Sequence, residues 1–144
     1  MLVGEFHAAA TAGGRLTVPR AISDRLGRKL TVTRGIERCL VIYPADEWQR
    51  LARKIQSRVP LTSQDGRTFA RLIFSGASTC APDEDGQISL PDHLRRYARI
   101  DREVVIVGLG THLEVWSSER WQAVSHQIAE EASAAAERIV HLGI

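Results

Sequence analysis

The chain has little sulfur: two cysteines and one methionine in 144 residues. Cys39 and Cys80 lie far apart and outside any Cys-x-x-Cys or metal-ligand spacing, so they suggest neither a redox motif nor a metal site. Cys39 precedes the apolar run Leu40-Val41-Ile42-Tyr43, where a buried, unreactive thiol is expected. No apolar run is long enough to cross a membrane. The opening residues Met1-Leu2-Val3-Gly4-Glu5 lack the basic region and apolar stretch of a secretory signal. A cytosolic protein is therefore the default expectation, and there its cysteines stay reduced.

Catalytic and ligand-binding patterns are also missing. His7, His93, His112, His126 and His141 show no His-x-x-x-His or His-Cys spacing. No glycine-rich loop runs into Lys-Ser or Lys-Thr. Ser75 and Ser78 flank Gly76 without forming a Gly-x-Ser-x-Gly elbow. Asp83-Glu84-Asp85-Gly86 could open a calcium loop, but the twelfth position would be Leu94, where a bidentate glutamate is required. The sequence thus implies no enzyme, no cofactor and no metal.

A repeat is present. Gly14-Arg15-Leu16-Thr17-Val18-Pro19 recurs as Gly86-Gln87-Ile88-Ser89-Leu90-Pro91, 72 residues on. Further along, Gly35, Leu40, Tyr43 and Trp48 match Gly108, Leu113, Trp116 and Trp121 at a shift of 73, one residue having entered a connecting loop. The copies differ most in the turn before the glycine: Thr11-Ala12-Gly13-Gly14-Arg15 against Asp83-Glu84-Asp85-Gly86-Gln87.

Each copy reads as strand, turn, strand, short helix, then a second hairpin and a longer helix. Leu16 and Val18 alternate with Arg15 and Thr17, the period of a half-buried strand, and Pro19 ends it. Ile88 and Leu90 repeat that face before Pro91. Short helices follow at 21–26 and 94–98, then hairpins built on 30–33 with 39–43 and on 104–107 with 113–116. Residues 108–112 are read as the second hairpin's turn. Trp48, Leu51, Ala52 and Ile55 form an amphipathic stripe on a helix over 45–56. Thr62-Ser63-Gln64-Asp65 has capping-box spacing for a helix toward Gly76, and a last helix runs from about 117 to about 140. Trp48 and Trp121 read as core wedges rather than base-stacking platforms. A single copy has too few strands to close a core, so two copies pairing into one pseudo-twofold domain are expected.

Charge is uneven. Residues 1–60 carry 11 Lys and Arg against 5 Asp and Glu, and residues 61–144 carry 8 against 12. A basic first half suits a polyanion, with phosphate neutralisation as the driving term; an arginine-rich solvated surface accounts for it equally.

These segments in this order resemble the MraZ family: Gly4-Glu5, Gly14 to Pro19, Leu40-Val41-Ile42-Tyr43-Pro44 with Trp48, Ser75-Gly76-Ala77-Ser78, Val104 to Gly108, and Glu114-Val115-Trp116. The resemblance spans about residues 3–125. It implies an α+β, β-rich fold of tandem AbrB-like swapped-hairpin modules. The divisions would be a first module at 3–51, a linking helical segment at 52–75, a second module at 76–123 and a helical extension at 124–144. It further implies a bacterial transcription regulator, cytoplasmic and nucleoid-associated, that acts at the promoter of a division and cell-wall gene cluster including its own gene. Its partners would be double-stranded promoter DNA carrying direct repeats, and copies of itself in a ring.

The family's DNA-contacting turn has the form Asp-x-x-x-Arg. The acid accepts backbone N–H bonds, glycine permits positive φ, and arginine offers a planar fork to phosphate or a guanine edge. This chain departs from the pattern in both copies. Copy one keeps Gly14 and Arg15 but has Thr11 as the bracing residue. Copy two keeps Asp83 but has Gln87 in place of the arginine, with Glu84 and Asp85 adding negative charge. DNA contact is thus expected through Arg15 in copy one, with Gly14 shaping the turn and Arg20 as an added phosphate contact. The bland alternatives are a salt-bridged or solvated Arg15 and a purely surface Arg20. A rival function is a ring-forming scaffold with degenerate turns, binding protein, or DNA without specificity.

Overall fold

A computed structural model describes all residues, 1–144. The elements run β1 (Leu2–Ala9), β2 (Arg15–Thr17), α1 (Arg20–Leu26), β3 (Leu30–Arg34), β4 (Leu40–Pro44), α2 (Ala45–Arg58), α3 (Gln64–Gly76), β5 (Ser78–Cys80), β6 (Gln87–Ser89), α4 (Asp92–Ala98), β7 (Glu103–Gly110), β8 (Leu113–Ser117) and α5 (Ser118–Arg138). A 3-10 turn at Val140–Leu142 follows. No helix is long and apolar enough to cross a membrane.

The sheet order shows how the repeat folds. Six antiparallel strands run β1-β7-β8-β4-β3-β5, and a separate ribbon pairs β2 with β6. Exchanging each strand for its repeat partner leaves that order unchanged, so the architecture is palindromic. Equivalent residues face each other in two places, Leu16 with Ile88 and Val41 with Glu114. Self-pairing of equivalents occurs only on a twofold axis relating the copies. The axis therefore passes through both the ribbon and the β4–β8 seam. Each copy's opening strand joins the other copy's hairpin: β1 lies on β7 and β5 lies on β3.

Local chemistry sets the element ends. Pro19 and Pro91, with φ −57° and −59°, end β2 and β6 and start α1 and α4; proline cannot extend a ladder but suits a helix start. The cap of α3 is Ser63, whose Oγ accepts from Gly66 N at 2.9 Å. The spacing from Thr62 to Asp65 had placed it one residue earlier. A turn in which Ser63 N donates to Pro60 O moves the start to Ser63. Ser117 caps α5 by accepting from Arg120 N at 3.1 Å.

Strand β7 runs through Gly110, into residues read from sequence as the hairpin turn. The reason is β1, the opening strand, for which the residue pattern gave neither bounds nor a partner. Its eight residues pair with β7 from Leu2–Gly110 to Ala9–Glu103. Gly108 permits this approach, because a Cβ there would stand 2.6 Å from Leu2 C and Val3 N.

One apolar core spans both copies, with Leu16, Ile22, Leu26, Val32, Leu40 and Ile42 meeting Ile88, Leu94, Ile106, Leu113 and Val115. A smaller cluster under α5 holds Cys39, Val105, Trp116 and Trp121. Trp121 is a buried wedge, whereas its counterpart Trp48 is half-buried against Tyr43 and Phe74, with ring centroids about 6 Å apart. Both cysteines are free. Burial, reinforced by the Glu114 carboxylate, pushes the Cys39 thiol up to about 12.

Candidate nucleic-acid interface

The two divergent turns lie on either side of the ribbon. In copy one, Thr11 N donates to Arg15 O and Gly14 N to Thr11 O, both at 2.9 Å, while Thr11 Oγ1 accepts from Arg15 N at 3.1 Å. Copy two closes the same way through Asp83 N to Gln87 O and Gly86 N to Asp83 O. There Asp83 Oδ1 accepts from both Asp85 N and Gln87 N at 2.9 Å. A carboxylate thus makes two bracing bonds where threonine makes one. Gly14 and Gly86 have φ of 83° and 74°, a region L side chains avoid. Each glycine carbonyl then ties to the other copy, Gly14 O to Leu90 N at 2.7 Å and Gly86 O to Val18 N at 3.0 Å.

The ribbon has two unlike faces. Leu16 and Ile88 point inward and are buried. Arg15, Thr17, Gln87 and Ser89 form the outer face, and all four carry hydrogen-bonding groups. Three of them are chained: Arg15 Nε donates to Gln87 Oε1 at 3.1 Å and Gln87 Nε2 to Thr17 Oγ1 at 3.2 Å. Arg15 Nη2 completes the chain in an ion pair with Asp83, its guanidinium side chain 46% exposed. The Asp83 carboxyl lies below the ordinary carboxylate range. The N–H of Gln87 contributes most to this, followed by the N–H of Asp85 and the Arg15 guanidinium.

The intertwined fold redistributes charge between the sequence halves. Arg20, at the start of α1, does not stand beside Arg15's turn. With Arg28 and Asp24 it lines a groove whose other wall is the acidic turn Asp83-Glu84-Asp85. The first turn meets α4 of the other copy, where Arg95 Nη1 donates to Ala12 O at 3.2 Å and Nη2 pairs with Asp92. Arg95 Nε is buried without a partner, and a Cβ at Gly14 would reach within 2.8 Å of it. Sequence reading singled out neither Arg95 nor the outward Thr17 and Ser89. Alternation along β2 and β6 could have identified the latter two, but Arg95 depends on a contact across 83 residues. No group of three or more His, Cys, Asp or Glu is arranged to hold a metal ion.

A palindromic sheet, a polar two-stranded ribbon on the axis and a turn beside each ribbon strand define an internally duplicated, intertwined α+β protein. Both copies match the family model described as "MraZ protein, putative antitoxin-like", at residues 1–72 and 73–142. The chain is 44% identical over 138 residues to the transcriptional regulator MraZ of Carboxydothermus hydrogenoformans, covering 91% of this chain and 96% of that protein. Proteins of the same name from Moorella thermoacetica and Halothermothrix orenii are 40% and 41% identical over 144 residues, covering all of both chains. The chain belongs to the MraZ family.

Proposed function

We propose that this protein is a DNA-binding transcription regulator rather than an enzyme, and that the β2–β6 ribbon is its reading surface. A two-stranded ribbon fits the major groove. The observation that carries the reading is the ribbon's outer face, where Arg15 and Gln87 stand side by side. Arginine is suited to the O6 and N7 edge of guanine, and glutamine to the N6 and N7 edge of adenine. Thr17 and Ser89 can serve either, so Gln87 is a second reader rather than only a lost arginine. Gly14, Thr11 and Asp83 fix the turns that aim these groups, and Arg20 adds a phosphate contact near the second turn.

The copies are alike in the core and unlike on this face, Arg15 and Thr17 answering to Gln87 and Ser89. A pseudo-twofold protein broken at its reading surface matches a non-palindromic unit, the kind that direct repeats supply. We therefore propose recognition of short direct repeats at the promoter of a division and cell-wall gene cluster including its own gene, in the cytoplasm at the nucleoid. A ring of copies would add several weak contacts. Exposed Ile128, Ile139, Val140, Leu142 and Ile144 toward the C-terminus supply apolar surface for assembly. The exchange of β1 and β5 between hairpins supports AbrB-like swapped-hairpin modules at 3–51 and 76–123, joined by 52–75 and extended by 124–144.

Two observations favour a second reading, a scaffold with degenerate turns: Arg15 is engaged by Asp83, and the second turn is acidic. Fluorescence anisotropy with a direct-repeat fragment and a scrambled one, over a range of salt, separates the two. The regulator reading predicts preference for the repeat at every salt concentration. Equal affinity for both fragments supports the scaffold.

A further inference from the structure

The only non-glycine residues with positive φ are Arg38, at 64°, and Arg99, at 54°. Both occupy places where glycine is the usual residue. Arg38 is the third of three residues enclosed by the Gly35–Cys39 pair of the β3–β4 hairpin, where Gly35 N donates to Cys39 O at 2.7 Å; the left-handed position of such a loop favours glycine. Arg99 ends α4 in left-handed geometry, with its N–H on the carbonyls of Arg95 and Arg96. Its repeat equivalent at the end of α1 is Gly27. Strained backbone held by a bulky residue is a recognised mark of ligand sites, and here two instances converge. Arg38 and Arg99 line one cleft of about 420 Å3, together with Arg120, Ser117, Glu119, Ala98 and Ala123.

None of the three guanidiniums is paired with a carboxylate. Arg38 is steadied instead by stacking 4.9 Å over the Tyr97 ring. Against three cations the lining carries one anion, Glu119. Guanidinium forks match phosphate oxygens in geometry and charge, and the volume suits a group between pyrophosphate and a nucleotide. We propose that this cleft is a phosphoanion site, with Arg38, Arg99 and Arg120 as the phosphate ligands. Phosphate of this kind comes either from a free polyphosphate compound or from a nucleic-acid backbone.

The test uses the full-length protein, with pyrophosphate as the probe in isothermal titration calorimetry. Wild type is expected to bind. Arg99→Gly and Arg120→Ala should each weaken binding by roughly tenfold or more, the scale of one lost charge-assisted hydrogen bond. Without ligand, Arg99→Gly should melt no lower than wild type, since glycine fits that φ; loss of binding then cannot be ascribed to misfolding. Arg15→Ala should bind pyrophosphate like wild type, which separates this site from the reading surface. If pyrophosphate does not bind while both cleft variants lower affinity for repeat and scrambled DNA alike, the source is backbone phosphate. Pyrophosphate binding unchanged in both variants, or no effect on either ligand, overturns the proposal.

Discussion

Replacing Gly14 and Gly86 separately with alanine should give unequal losses of stability, although the glycines are equivalent in the repeat. Gly14 is buried at φ 83°. An added Cβ would stand 2.6 Å from the Leu90 carbonyl oxygen and 2.8 Å from Arg95 Nε. The left-handed backbone costs an L-residue about 1–2 kcal/mol. Forcing a methyl against a fixed carbonyl and a buried arginine adds roughly 1–3 kcal/mol. At Gly86 the nearest atom, Val18 O, is 3.7 Å away, an ordinary contact, so only the backbone cost of about 1–2 kcal/mol applies. The difference, roughly 1–3 kcal/mol, corresponds to about 2–12 °C in melting temperature for a chain of this size. Thermal and urea unfolding at matched protein concentration would measure it, because the proposed assembly would make stability concentration-dependent. Equal losses, or a larger loss at Gly86, would refute the packing argument around Arg95.

Two further outcomes follow from titratable groups. The folded-state pKa of Asp83 is depressed, so its stabilising contribution is complete above the unfolded-state value and is lost as pH falls through the folded-state value. The second turn should therefore hold through neutral pH and loosen only in acid, below the ordinary carboxylate range; a carboxyl NMR titration with Asp83 at or above that range would contradict this. The thiols of Cys39 and Cys80 are pushed up to about 12 and about 11, mainly by burial. At pH 8 both should alkylate far more slowly in the native protein than in urea, with Cys39, the more deeply buried, the slower of the two; mass spectrometry of timed samples would reveal any reversal.

The duplicated architecture was legible because it rests on spacing. The shifts of 72 and 73 residues reappear as the on-axis pairs Leu16–Ile88 and Val41–Glu114. The buried strands were legible from runs such as Val104 to Val107. The opening strand β1 was read only as a strand before the turn; its length and partner were not legible, since its residues after Leu2 are mostly exposed and its alignment comes from β7. The charge balance of the two halves does not map onto two separate faces, for a related reason. Intertwining sets α4 of the basic-poor half beside the first turn and α1 of the basic half beside the acidic turn. Alternation could have revealed the ribbon's outer face. The pairing of Arg15 with Asp83 and Gln87 joins residues 68 and 72 positions apart, and the positive φ of Arg38 and Arg99 has no signature in residue type.

The central claim is that Arg15, presented on the axis ribbon, reads DNA sequence. Its most direct test compares wild type and Arg15→Ala on a direct-repeat fragment and a scrambled fragment, with light scattering to verify that the two proteins have the same molar mass in solution. Loss of a bidentate base contact should cost about 1–3 kcal/mol of discrimination, so Arg15→Ala should lose roughly 5- to 150-fold of the wild-type preference for the repeat with its molar mass in solution unchanged. An Arg15→Ala variant of unchanged molar mass that still prefers the repeat as strongly as wild type would contradict the claim.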